Sequence, residues 1–159
     1  MSIRIIKKGT FDTLQDLGRF GYQHLGIPPG GAMDCLALQL ANFLVGNGAQ
    51  EACLEMFYPA PIIRFEADAL IALCGAQWEP RLQGLAAENN RAIWVKRGVE
   101  LRFHRPKTGR VAYLAVRGGF AGDLWLGSYS TQMGVKRSGW KGRALHRNDR
   151  LPFRGGNES

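Results

Sequence analysis

Two apolar runs, "EADALIALCGA" at residues 66–76 and "RVAYLAVRGG" at residues 110–119, decide the fold of this chain. Each run is mostly continuous in apolar residues and ends in glycine. A strand with one solvated face alternates apolar and polar residues, whereas a strand buried on both faces does not. We therefore predict that both segments are strands that cross the core and do not lie at a sheet edge.

Six further short segments have the composition of strands and are separated by Gly, Pro or Asn. They are "IRII", "ACLEMF", "PIIRF", "RAIWV", "VELRFH" and "DRLPF". Short, evenly spaced strands of this kind are typical of a closed or nearly closed antiparallel barrel. The sequence thus predicts an all-β, mainly β fold: a β-barrel capped by one helix.

That helix is predicted over residues 34–45, within "DCLALQLANFLVGNG". Asp34 is a suitable N-cap, and the Gly46-Asn47-Gly48 cluster marks the end. Helical spacing groups four large residues on one face: Leu36, Leu40, Phe43 and Leu44. We predict an amphipathic helix of roughly three turns.

The length of 159 residues fits a single domain over residues 1–154, with a disordered tail at 155–159. No apolar run approaches the roughly 18 residues of a membrane span, and the N-terminus lacks the pattern of a secretory signal. Cys35, Cys53 and Cys74 are odd in number and lie in apolar surroundings, which predicts reduced, buried thiols and a cytoplasmic location. The three histidines show no metal-ligand spacing, so we predict no metal site.

Positive charge is concentrated in the second half of the chain. Of the 21 Lys and Arg residues, 15 lie within residues 91–154, against three acidic residues there. Such a patch can attract nucleic acid, an acidic substrate or an acidic protein, or it can be a solvated face. Because no nucleic-acid-binding motif accompanies the charge, we do not expect a nucleic-acid partner.

The segment "TLQDLGRFGYQHLGIPPGGAMD", residues 13–34, has more glycine than regular structure requires, which predicts an irregular loop. Glycines allow close backbone approach, so Gly30 and Gly31 can form a cradle of N–H groups for a substrate oxygen. A tight Pro-Gly turn that leads into a capped helix explains the same residues. The N-cap carboxylate of Asp34 weakens anion binding at that spot.

A second polar segment, "VRGGFAGDLWLGSYST" at residues 116–131, groups Arg117 with the hydroxyls of Ser128, Ser130 and Thr131. These side chains can hold a polar substrate, but hydroxyls in turns are also common structural groups. No His or Asp stands at a spacing that would identify one of the serines as a nucleophile.

Together with "LANFLVGN", "ACLEM", "IALCGA", "YLAVRGG", "GSYST" and "KGRALHRNDRL", the first loop resembles the first half of the allophanate hydrolase subunit 2 family. That family includes the C-subunit of bacterial 5-oxoprolinase and is similar to the carboxyltransferase part of urea amidolyase. The resemblance implies a cyclophilin-like β-barrel that works with a companion cyclophilin-like subunit. In 5-oxoprolinase the complex opens 5-oxoproline to glutamate at the expense of ATP, whereas the urea amidolyase relatives carboxylate urea from biotin.

By motif position, the resemblance implies catalytic roles for Asp16, Arg19 and Asp34. It implies substrate binding by Gly30, Gly31, Arg117, Ser128, Ser130 and Thr131. Gly30 and Gly31 would donate N–H groups to a substrate oxygen, Asp34 would accept an amide N–H, and Arg19 or Arg117 would pair with a substrate carboxylate. ATP is expected at the complex and no cofactor in this chain, which has no Walker-type phosphate loop.

Two features depart from the family pattern. Family members usually continue into a second, related half, and Tyr129 and Gln132 stand where the family tends to have Arg and Tyr. We expect a cytoplasmic subunit of an ATP-dependent amide-hydrolysing complex that binds a small cyclic amide or urea-like substrate. The alternative is a non-catalytic binding or regulatory barrel that acts through a partner subunit.

Overall fold

The computed structural model describes residues 1–155, which form eleven β-strands, one α-helix and a short 3₁₀ helix at Gln23–Leu25. The strands are β1 (Ser2–Lys7), β2 (Asp12–Gln15), β3 (Cys53–Phe57), β4 (Ile62–Phe65), β5 (Ala69–Gln77), β6 (Pro80–Leu82), β7 (Leu85–Ala86), β8 (Ile93–Val95), β9 (Glu100–Phe103), β10 (Thr108–Val116) and β11 (Arg150–Pro152). The helix α1 spans Cys35–Leu44. Residues 156–159 of the predicted tail lie outside the described residues.

The prediction of a mainly β fold is confirmed, but the strands of residues 1–155 do not close into one barrel. They form a six-stranded sheet in the order β11-β1-β4-β9-β6-β7 and a five-stranded sheet in the order β2-β3-β10-β5-β8. Every strand pair is antiparallel. Pro59 and Pro61 lie where the chain leaves β3 of one sheet for β4 of the other, and Pro80 follows β5 in the same way. Since proline has no N–H to continue a ladder, these positions favour a change of sheet.

The two apolar runs form the centre of the five-stranded sheet, as predicted. β10 pairs with β3 on one side and β5 on the other, so neither β5 nor β10 is an edge strand. Leu114 and Leu73 face the main core, while Tyr113 and Cys74 contribute to a second cluster beneath the helix. Burial of both faces explains why these strands carry no polar alternation.

The main core lies between the two sheets. The six-stranded sheet contributes Ile3, Ile5, Ile63, Phe65 and Leu101, and the five-stranded sheet contributes Leu14, Leu54, Met56, Leu73 and Leu114. Trp78 is fully buried and donates its indole N–H to the carbonyl of Gly109 at 3.3 Å. Each such large side chain contributes roughly 1.5–3 kcal/mol through its transfer from water.

Helix α1 begins and ends where the sequence predicts. The Asp34 carboxylate accepts the N–H of Ala37 at 3.0 Å, and Gly46 follows the helix with a φ of 79°. The buried face, however, consists of Ala37, Leu38, Ala41 and Asn42, while three of the large apolar residues, Leu36, Leu40 and Phe43, lie in solvent. Small side chains let the helix approach β5 and β10 closely, so they, and not the largest residues, face the sheet.

Three other details differ from the sequence prediction. Residues 13–15 of the predicted loop belong to β2, and the short pair β6–β7 is formed by residues with no strand pattern. The cysteines are free as predicted, but Cys35 is exposed because it occupies the first position of α1 on its outer side.

Neither the 3₁₀ turn nor α1, the helices of residues 1–155, combines the length and apolar character needed to cross a bilayer.

Candidate functional site

The carboxylate of Asp16, just after β2, joins two loops that are more than 110 residues apart in sequence. Its Oδ1 accepts the hydroxyls of Ser128 and Ser130 at 2.6 and 2.7 Å and the N–H of Gly18 at 2.8 Å. Its Oδ2 accepts the N–H of Tyr129 at 2.7 Å. Four donors on a buried carboxylate leave it well satisfied, so Asp16 organises the loops around it.

The hydroxyls of the predicted substrate-binding set face inward. Ser128 and Ser130 are fully buried and donate to Asp16, and Ser128 Oγ also accepts the N–H of Ser130 at 3.0 Å. The hydroxyl of Thr131 donates to the carbonyl of Leu14 at 3.0 Å. The structure therefore brings Ser128, Ser130 and Asp16 together, but it uses these hydroxyls to hold the loops and offers none as a free nucleophile.

Arg19 lies beside this cluster and is almost entirely buried, at 2% exposure. Its guanidinium donates to the carbonyls of Ser130 at 2.5 Å and Trp125 at 3.4 Å and to Oε1 of Gln132 at 3.2 Å. Its Cζ lies 5.0 Å from the centre of the Trp125 ring. Burial lowers the pKa of Arg19, and the nearby charge of Asp16 partly opposes that effect.

Gly30 lies over this guanidinium. A Cβ at Gly30 would lie 3.4 Å from both Arg19 Nη1 and Gln132 Oε1. The φ angles of Gly30 and Gly31 are 64° and 95°, which an L side chain rarely adopts. Within residues 1–155, the N–H groups of Gly30 and Gly31 donate no hydrogen bond. We call Gly30 and Gly31 the cradle, because unbonded N–H groups beside a buried cation can donate to an oxyanion or a carbonyl oxygen.

The same loop is also packed tightly against its neighbour. Arg19 donates its N–H to the carbonyl of Pro29 at 2.6 Å, and Ala32 donates to the carbonyl of Asp16 at 2.9 Å. A Cβ at Gly31 would lie 2.9 Å from the backbone of Leu17 and Gly18. Gly31 is therefore required by packing, whereas the Cβ position of Gly30 meets mainly side-chain ends.

Asp34 is confirmed as the N-cap of α1, and its setting includes two residues that the sequence analysis missed. Tyr113 accepts the N–H of Asp34 at 2.9 Å and donates to Glu55 Oε2 at 2.7 Å, and Glu55 also accepts the N–H of Met33 at 2.9 Å. Burial and the bond to Glu55 raise the pKa of Tyr113. A lone carboxylate inside the apolar run "ACLEMF" was the available signal for Glu55.

Arg117 is not brought to this cluster. It follows β10, and the next residue, Gly118, donates its N–H to Asn47 beyond the C-terminal end of α1. Asp34 and Gly31 lie at the N-terminal end of the same helix, a distance of about 15 Å for ten residues. Two other residues contact Arg19 instead: Trp125, which the sequence analysis did not name, and Gln132, which it named only as a departure from the family pattern.

Two cavities lie away from the Gly30–Gly31 loop. One of about 500 Å³ is lined by residues that include Gln77, Arg81 and Lys107, and another of about 510 Å³ lies beside Phe57 and Tyr58. Neither contains a residue predicted for the site.

No group of three or more His, Cys, Asp or Glu side chains in residues 1–155 is arranged to hold a metal ion. Gly30 is exposed and Gly31 is partly exposed, so a small ligand at this loop needs a second surface to enclose it.

Several known proteins are similar to this chain in sequence and in fold. The chain is 41% identical to the 5-oxoprolinase C-subunit of Escherichia coli over 151 residues, which are 95% of this chain and 49% of that protein. It is 36% identical to urea amidolyase of Lachancea kluyveri over 151 residues, 94% of this chain and 8% of that protein. The crystal structure of Kluyveromyces lactis urea amidolyase superposes with a TM-score of 0.92 at 34% identity, over 96% of this chain and 9% of that one.

The chain therefore spans about half the length of the E. coli relative and a small part of the urea amidolyases. Residues 25–159 match the family model described as carboxyltransferase domain, subdomain A and B. That match covers most of the chain, including the cradle, α1 and the loop that carries Ser128 and Ser130. The chain belongs to this carboxyltransferase-domain family.

Proposed function

We propose that this chain is a cytoplasmic subunit of an ATP-dependent amide-hydrolysing complex of the 5-oxoprolinase or allophanate hydrolase type. It binds a small cyclic amide or urea-like substrate at the Gly30–Gly31 cradle. The observation that carries the proposal is the pair of unbonded glycine N–H groups beside the buried Arg19 guanidinium. The similarity to the 5-oxoprolinase C-subunit supports the same class of substrate.

In this proposal each residue has a separate task. The N–H groups of Gly30 and Gly31 donate to the carbonyl oxygen of the amide, where negative charge grows when a nucleophile attacks the carbonyl carbon and before the C–N bond breaks. Asp34 caps α1 through Oδ1, and its Oδ2 accepts the amide N–H of the substrate. Arg117 lies near the C-terminal end of α1, too far from the cradle to contact the same ligand. It would contact a partner or a longer substrate.

Arg19 acts as a positioning residue. Its buried guanidinium already donates to three acceptors, so it supports the cradle and makes the potential positive there. Asp16, Ser128, Ser130 and Thr131 hold the two loops in register. Because these hydroxyls are occupied, we assign this chain a binding role and assign the chemistry and ATP to companion subunits, one of them cyclophilin-like.

Two measurements test the proposal. Calorimetric titration of the chain in complex with its companion subunits, with 5-oxoproline and with urea, measures substrate binding, and Gly30→Ala should weaken it at least about tenfold. The purified chain alone should release no glutamate from 5-oxoproline with ATP, whereas the chain together with its companion subunits should. Unchanged affinity in Gly30→Ala, or turnover by the chain alone, would overturn the assignment.

The alternative, a non-catalytic binding or regulatory domain that acts through a partner subunit, is supported by the same internal use of the hydroxyls. It predicts a stable complex with the companion subunit but no titration with either amide. Calorimetric titration therefore distinguishes the two proposals before any activity is measured.

A further inference from the structure

A smaller cavity, of about 200 Å³, lies on the outer face of the six-stranded sheet, over β1 and β4. Its lining consists of Arg4, Arg64, Phe65, Glu66, Arg97 and Gly98. Arg4 and Arg64 point outward, because the residues on either side of each face the main core. A water molecule takes about 30 Å³ in the liquid, so this cavity has room for a small molecule.

Two buried polar atoms of the lining residues have no hydrogen-bond partner. One is Nε of Arg4, a donor, and the other is Oε1 of Glu66, an acceptor. Only four side-chain atoms in residues 1–155 are in this condition, and two of them belong to residues of this one cavity. Arg150 Nε lies 3.3 Å from the Glu66 oxygen, but without hydrogen-bond geometry. Since an unsatisfied buried polar group costs free energy, both atoms need a partner that the chain itself does not supply.

Arg4 and Glu66 have opposite charges, yet they form no ion pair. Arg4 lies directly opposite Arg64 in the register of β1 and β4, so Glu66 is its diagonal neighbour. Diagonal neighbours in antiparallel strands are roughly 7–8 Å apart. The Arg4 guanidinium donates to Asn148 Oδ1 at 3.1 Å, and none of the ion pairs within residues 1–155 includes Arg4. The cavity thus presents a positive and a negative group with a gap between them.

The lining also has more positive than negative charge, with three arginines against one glutamate. Arg64 already donates to Glu100 at 2.8 Å. The guanidinium of Arg97 forms no ion pair within residues 1–155, so it is available to a second anionic group. A ligand that matches this cavity therefore carries two negative groups and one positive group.

We propose that this cavity binds a free α-amino acid with an acidic side chain. Its ammonium group donates to Glu66 Oε1, one carboxylate accepts from Arg4 Nε, and the other carboxylate lies beside Arg97. Both unsatisfied atoms then gain a partner of opposite charge. A dicarboxylate without an amino group would leave Glu66 unsatisfied, and a neutral amino acid would leave Arg97 unpaired. The proposal does not rest on the proposed function, since the cavity and the cradle share no residue.

Calorimetric titration of the full chain with three matched probes tests the proposal. L-Aspartate has all three charged groups, succinate lacks its ammonium group, and L-alanine lacks its side-chain carboxylate. We expect L-aspartate to bind with a dissociation constant of about 1 mM or lower, and each of the other probes to bind at least about tenfold more weakly. Equal affinity for either analogue, or no binding of L-aspartate up to about 20 mM, would overturn the proposal.

Substitutions at the two unsatisfied groups provide an independent test. Glu66→Gln should weaken L-aspartate binding at least about tenfold and remove the preference over succinate, because only the ammonium group distinguishes these two probes. Arg4→Gln should weaken the binding of both probes at least about tenfold.

Arg81→Gln is the matched control. Arg81 lies on β6 of the same sheet, two strands from β4 and outside the lining, so both affinities should stay unchanged. Thermal melts verify that the variants remain folded. A folded Glu66→Gln variant that still prefers L-aspartate, or a loss of binding in Arg81→Gln as large as that in Arg4→Gln, would contradict the assigned site.

Discussion

The Asp16 carboxylate lies 2.6 Å from the hydroxyl of Ser128, and this contact joins the end of β2 to a loop that is 112 residues further along the chain. Asp16 is buried and accepts three other hydrogen bonds, so the loop geometry of the candidate site depends on one ionised group. Hydrogen bonds to a charged acceptor are stronger than neutral ones, which makes this residue the main tie between the two loops.

Replacement of Asp16 by Asn tests that dependence. The amide nitrogen would face donors that need an acceptor, so we expect a loss of about 2–4 kcal/mol in the free energy of unfolding, measured with urea. Ser130→Ala removes one donor and should cost about 1 kcal/mol. Equal stability of Asp16→Asn and the native chain would show that the hydrogen bonds of the Asp16 carboxylate do not stabilise the fold.

Asp34 has a structural role that can be separated from its proposed binding role. Asn serves as an N-cap almost as well as Asp, so Asp34→Asn should change stability by only a few tenths of a kcal/mol, whereas Asp34→Ala should cost about 1 kcal/mol. If Oδ2 accepts a substrate N–H, Asp34→Asn should lose about 1.5–3 kcal/mol of binding by calorimetry. A variant with native stability and native affinity would limit Asp34 to capping.

Gly30 and Gly31 should respond differently to alanine. At Gly31 a Cβ meets the backbone of Leu17 at 2.9 Å, so Gly31→Ala should destabilise the fold by at least about 2 kcal/mol. At Gly30 the nearest atoms are the side-chain ends of Arg19 and Gln132, which can move. Gly30→Ala should therefore lower the free energy of unfolding by only about 1 kcal/mol, the cost of a positive φ for alanine. Chemical denaturation of the two variants measures the difference in their free energies of unfolding. The reverse order would show that the loop is not packed as described.

Asp12 makes the stability depend on pH. Burial is the largest influence and raises the pKa of Asp12 to about 7, while the N–H of Gly9 partly opposes it and Oδ1 has no partner. The folded state therefore keeps a proton that the unfolded chain releases above pH 3.8. The proton bound to Asp12 stabilises the folded state. Its contribution to the free energy of unfolding is present in full below pH 3.8 and is lost as the pH rises to about 7.

The loss is on the order of 4 kcal/mol between those two pH values. Asp12→Asn cannot titrate, so the difference in unfolding free energy between the native chain and Asp12→Asn should change with pH in that window. Glu100 and Asp149, whose pKa values are lowered, contribute the opposite trend to both proteins and cancel in the difference. A difference that is constant with pH would contradict the raised pKa.

Local patterns in the sequence were sufficient to identify most of the strands and the single helix. The apolar runs that became β5 and β10 are continuous because both of their faces are buried, and Asp34 marks the start of α1 because its side chain bonds a nearby N–H. The residues of the Gly30–Gly31 loop could be selected in the same way, since glycine density reports backbone conformation. These features depend on neighbours a few residues apart, which a sequence displays directly.

Contacts between distant segments were decided only by the tertiary structure. The separation of the strands into two sheets, the inward use of the Ser128 and Ser130 hydroxyls, and the distance of Arg117 from the cradle all follow from how the segments meet. The face of α1 that is buried depends on the close approach of Ala37 and Ala41 to the sheet, which outweighs the greater hydrophobicity of Leu36 and Phe43. The physical reason is that packing shape and hydrogen-bond partners belong to pairs of segments, whereas hydrophobicity belongs to single residues.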